Sequence, residues 1–120
     1  MVLGYYPGWD KGFVLDYFNE LKNDGQRKKA EAKLRGDLLS LLYTWPRPVG
    51  VWVKILRGHE PLWELKREFR GIAYRVFFCV NGEDVWLLHA IEKKEQKTIQ
   101  SDLNLAYNRM QNVLNRKVRR

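Results

Sequence analysis

Apolar positions along the chain follow two periodicities, and their succession predicts the elements. Phe13, Val14, Tyr17, Phe18 and Leu21 recur at the spacing of one helix face before Asn23-Asp24-Gly25, a stop signal. Ala30, Leu34, Leu38, Leu41, Leu42 and Trp45 form a second stripe, with Arg27, Lys28, Glu31, Lys33 and Arg35 mostly off it. Pro46-Arg47-Pro48 ends that helix. Residues 2–6 read as a short strand halted by Pro7-Gly8, and residues 49–58 as a loop or short extended piece. Three strand-like segments follow at 62–69, 73–80 and 85–91, as an antiparallel meander. Asn81-Gly82 reads as a two-residue hairpin loop, because both residues tolerate the positive φ of a type I′ turn. On that register Phe78 faces Val85, Val76 faces Leu87 and Tyr74 faces His89, while Arg75 shares the opposite face with Phe77, Cys79, Trp86, Leu88 and Ala90. Leu103, Ala106, Met110, Val113 and Leu114 mark a last helix, with Thr98 or Ser101 as N-cap and a basic tail from about residue 115.

The predicted order is therefore β-α-α-β-β-β-α, a single α+β domain over residues 1–120 with a small antiparallel sheet. Two N-terminal helices pack on one face, a C-terminal helix follows, and the other face is expected to stay partly open. A length of 120 residues and 45% hydrophobic content suffice for one packed core without staples. The single cysteine, Cys79, lies in an apolar run, which excludes an intramolecular disulfide and suits a reducing cytoplasm. The N-terminus shows no basic leader, and no stretch approaches the roughly 18 apolar residues of a membrane span. A cytoplasmic protein without a membrane partner is expected.

Charge changes the picture. Lys and Arg number 22 against 14 Asp and Glu, a net charge of +8, which favours a polyanionic partner through phosphate contacts. Residues 61–120 hold 12 of the basic and 7 of the acidic side chains, so the second half is the more basic. Glycine-rich phosphate loops, metal-ligand clusters and nucleophile elbows are missing, and only His59 and His89 represent histidine. Neither a cofactor nor a metal is expected. Lys66, Arg67, Arg75, Lys93, Lys94 and Lys97 instead place cations on adjacent strands and on the turn leaving the sheet. Metal-free RNA cleavage needs a base for the 2′-hydroxyl proton, cations for the charge developing on the phosphate, and an acid for the leaving oxygen. Lysines crowded like Lys93, Lys94 and Lys97 can approach such duty through a lowered pKa. Trp63, Tyr74, Trp86 and Phe69 lie among these cations and can stack bases if their rings face solvent.

Each of these residues has a plainer reading. A run such as 93–97, interrupted by Glu95 and preceded by Glu92, is ordinarily a solvated turn. Arg75 inside an apolar strand serves either a ligand or a buried partner. His89 reads more simply as a half-buried, hydrogen-bonded strand residue, and the tryptophans and Cys79 as core.

Four ordered blocks resemble the HigB-type toxins of the RelE/ParE superfamily: Leu62-Trp63-Glu64-Leu65-Lys66, Tyr74-Arg75-Val76-Phe77-Phe78, residues 87–98 from Leu87-Leu88-His89 through Lys93-Lys94 to Lys97-Thr98, and Leu105-Ala106-Tyr107-Asn108-Arg109. The likeness covers about residues 56–114. It implies a RelE-like fold, metal-independent endonuclease activity on mRNA at the ribosome, and a cognate antitoxin, typically a helix-turn-helix protein. By position it implies phosphate contacts from Lys66 and Arg75, with Lys93, Lys94 and Lys97 as a basic edge; taken with the reading of the residues, Lys66, Arg75, Lys93 and Lys94 are the expected catalytic groups and Arg67, Trp63, Tyr74, His89 and Lys97 the expected RNA contacts. Three departures stand out: Lys66 occupies a place usually held by arginine and forgoes the bidentate fork, Glu95 replaces a neutral residue, and Ile99 replaces a proline. Two alternatives remain: a ParE-like gyrase poison, and a catalytically degenerate module that binds RNA or antitoxin.

Overall fold

The structure, a computed structural model, describes residues 1–93 and 100–116. Five strands and three helices follow in the order β1 (Val2–Tyr5), α1 (Phe13–Lys22), α2 (Lys28–Thr44), β2 (Trp52–Ile55), β3 (Trp63–Phe69), β4 (Ile72–Asn81), β5 (Asp84–Lys93) and α3 (Gln100–Asn115). They build one mixed sheet in the order β1-β5-β4-β3-β2, with β1 parallel to β5 and the other neighbours antiparallel. Both helical stripes and the last helix lie where the periodicity put them. Two expectations need correction. Trp52–Ile55, expected as a loop or short extended piece, is a fifth strand of the sheet, because its backbone completes the ladder along β3. The sheet is mixed rather than antiparallel, because the long α1–α2 excursion lets the first strand return beside the last.

Both faces of the sheet carry helices, but α3 covers the second face only over β4 and β5, so that face stays partly open at its β2–β3 end. Val14, Phe18 and Leu21 of α1 and Ala30, Leu34, Leu38 and Leu41 of α2 pack on Leu65, Tyr74, Val76, Phe78, Val85 and Leu87. On the other side Ala106, Met110 and Val113 of α3 meet Phe77, Cys79, Leu88 and Leu62. A central strand buried on both faces reads as a continuous apolar run, which is why β4 is buried from Ala73 to Cys79 with only Arg75 charged.

The hairpin register also differs from the expected one. Asn81 pairs with Asp84, so Gly82-Glu83 forms the loop and Phe78 opposes Leu87. Gly82, at φ 63°, takes the left-handed turn position. Between Phe77 and Phe78 the register shifts, so that Phe77 opposes His89 and Leu88 is the extra residue of a bulge. The bulge reverses the alternation beyond it. His89 and Ile91 therefore join the face of Arg75, and Ala90 packs toward α1 and α2.

Candidate functional site

Pleating sets Trp52, Lys66, Arg75 and Ile91 in one row across β2, β3, β4 and β5. The flanking rows are Lys54, Glu64, Phe77 and His89 on one side and Glu68, Ala73 and Lys93 on the other. All of them belong to the α3 face. The helix packs over β4 and β5, whereas Trp52 remains 44% exposed, Lys54 is exposed and Lys66 is half-buried. The β2–β3 end of this face is thus open and carries two lysines around an indole. Lys66 Nζ sits 4.6 Å and Lys54 Nζ 5.6 Å from the Trp52 ring centroid, within cation–π range.

Arg75 lies beneath that opening. It is buried, and its guanidinium donates to the fully buried carboxylate of Glu64 on the neighbouring strand. An arginine is tolerated inside an apolar strand only against such a partner, since desolvation of either ion alone is costly. Glu64, a poor RNA contact by charge, is therefore the group that holds Arg75 in place. Lys66 carries the positive charge at the surface of the row.

The third basic position is tied to α3. Lys93 Nζ lies 3.8 Å from Asp102 Oδ2, and His89 Nε2 lies 2.9 Å from Asp102 Oδ1, with the imidazole stacked on Phe77. Glu92, next in sequence to Lys93, points to the opposite face, where Tyr17 donates to it at 2.6 Å and Arg27 at 2.5 Å. Strand alternation thus removes Glu92 from the basic face. Lys94 and Lys97 lie outside the described residues.

Several expected RNA contacts stand elsewhere. Tyr74 is 2% exposed beneath the N-terminal helices, so its ring cannot meet a base. Trp63 stacks on Phe78 and meets Trp45 edge-on, which makes it part of the same core. Arg67 also faces α2, where Nε and Nη2 grip the buried Asp37 at 2.9 and 2.5 Å. These three corrections share one cause: with period two, residues 63, 65, 67 and 69 of β3, and Tyr74 opposite Arg67 on β4, face away from Glu64, Lys66 and Arg75. The β2 residues Trp52 and Lys54 were missed. Their signal was the alternation Trp52-Val53-Lys54-Ile55, too short to stand out between proline- and glycine-rich flanks.

At the open end a cleft of about 570 Å³ is lined by Asp37, Gly50, Val51, Trp52, Lys66, Arg67 and Glu68. It bends around the point where β3 runs on past the first residue of β2. The family model for phage-derived Gp49-like proteins (DUF891) matches residues 16–111, which run from within α1 through β5 to all but the last turn of α3. The chain belongs to the Gp49-like family. This is a RelE/toxin-like family. No curated protein and no solved structure matches the chain. In this Gp49-like protein the matched segment contains the whole open face together with the Arg75–Glu64 pair and the cleft. Among the described residues no helix is long and apolar enough to cross a membrane, and no cluster of three His, Cys, Asp or Glu side chains could hold a metal ion.

Proposed function

We propose that this Gp49-like protein is the toxin of a toxin–antitoxin pair and cuts mRNA on the ribosome, as HigB-type toxins do. The observation that carries the reading is the cross-strand pairing of Lys66 with Arg75 on a sheet face left open at that end, in a chain of a RelE/toxin-like family. Lys66 presents its ammonium, held near the Trp52 ring, to a phosphate. Arg75, fixed by Glu64 in a buried pair without net charge, does not reach the surface; it braces the strands under Lys66, a positioning rather than a contacting role. Lys93 stands two strands away, about 10 Å across the sheet, close enough for a long side chain to share the same RNA backbone. With Lys94 and Lys97 next in the chain, these cations supply the transition-state charge stabilisation that metal-free cleavage demands. A cognate antitoxin neutralising this basic face completes the reading.

A cell-free translation mixture programmed with ready-made mRNA provides the test. Added protein should stop synthesis and yield truncated messages, and Lys66→Ala combined with Lys93→Ala should relieve both by at least tenfold while leaving the circular dichroism unchanged. A gyrase poison would leave such a mixture untouched, and full potency of the double variant would place the site elsewhere. Arg75→Ala is a poor probe. It strands the Glu64 carboxylate in the core at a cost of about 3–5 kcal/mol, so lost activity would report lost fold.

A further inference from the structure

We propose that the cleft beside Lys66 is a base-binding pocket, in which one unpaired RNA base stacks on Trp52 while its flanking phosphate rests on Lys66 and Lys54. The inference rests on the RNA reading of the open face and adds to it a subsite that fixes the strand's register. Its volume of about 570 Å³ falls within the roughly 300–1,000 Å³ of small-molecule sites. Trp52 opens an edge strand, so its indole has a sheet neighbour on one side only and stays 44% exposed, unusual for the largest apolar side chain. An exposed tryptophan with two ammonium groups near its ring offers a flat stacking face and phosphate counter-charges within one side-chain length.

The remaining wall is polar and rigid. Arg67 is clamped by two hydrogen bonds to Asp37, and its side chain remains 34% exposed where it lines the cleft. A guanidinium held in a fixed plane can read the edge of a base rather than merely attract it. Asp37 is paired with Arg67, which offsets its charge, and Glu68, the other carboxylate lining the cleft, stands two residues beyond Lys66 on β3. Gly50, at φ 76° with open space around it, turns the chain at the rim without a side chain to block entry. Arg67, misplaced for a contact on the α3 face, thus returns as a wall of this pocket.

The test is equilibrium binding, so that it stands apart from cleavage. A fluorescent hexanucleotide of 2′-O-methyl RNA, which cannot be cut through its 2′-oxygen, is titrated with the full chain, alongside the same oligomer carrying abasic sites. Trp52→Ala should weaken binding of the intact oligomer roughly tenfold, the size of one base–aromatic stack. Trp52→Phe should keep most of the affinity, and Tyr43→Ala, at a side chain 92% exposed on α2, should change nothing. The abasic oligomer should bind wild type and Trp52→Ala alike. Equal losses for both oligomers, or no loss for either, would overturn the pocket, whatever the translation assay shows. Tight, Trp52-dependent binding without any cleavage would uphold it and remove only the nuclease.

Discussion

At the scale of single residues, the charges that matter are distinguished by what lies under them. Arg75 and Arg67 are both strand arginines, yet one is closed in the core against Glu64 and the other straddles a helix and a cleft through Asp37. Neither partner was legible in the sequence, because pairs 11 and 30 residues apart leave no local pattern. What could be read was that Arg75 demanded a partner or an opening. Cys79 gives a simpler residue-scale prediction. Burial alone pushes its thiol up to about 12, so at neutral pH it is neither accessible nor ionised. Iodoacetamide should leave it unmodified in the native protein and label it fully in denaturant, as mass spectrometry would show; rapid native labelling would mean that α3 lifts readily from the sheet.

Among the elements, periodicity found the helices and the long strands because each exposes a sustained stripe, and it failed where an element is short or irregular. The four residues of β2 are one case. The bulge at Leu88 is the other, since one extra residue reverses every later side chain of β5 and no composition marks it. The sequence therefore put Ala90 rather than His89 on the face of Arg75. The helix above that face is held by a small cluster. Met110 is fully buried there with Ala106, Val113, Phe77 and Leu88, so Met110→Ala should cost about 2–5 kcal/mol in urea unfolding. A loss under 1 kcal/mol would show that α3 contributes little to holding the sheet.

For the whole molecule, the ends of distant elements are joined by one polar knot. Tyr17 of α1 and Arg27 beside α2 both donate to Glu92 near the end of β5, and Arg27 also reaches Asp24 at 2.8 Å. Burial first, and then the bond to Glu92, raises the Tyr17 pKa above the ordinary 10.0. Its contribution is complete below pH 10, where phenol is neutral in both states, and is lost as pH rises further because only the unfolded chain ionises freely. Stability should accordingly fall above about pH 10. Tyr17→Phe should be less stable at pH 8 yet show a shallower alkaline decline, part of which persists through Tyr5 and Tyr74, raised mainly by burial. Parallel profiles for the two proteins would assign the decline to other groups.

The two-sided core has a consequence for synthesis. A growing chain completes all five strands and the first hydrophobic layer while its last sixteen helical residues are still to emerge. During that interval Phe77, Cys79 and Leu88 have Leu56 and Leu62 of their cluster beside them but not Ala106, Met110 and Val113. A pause there leaves a half-dressed intermediate prone to self-association.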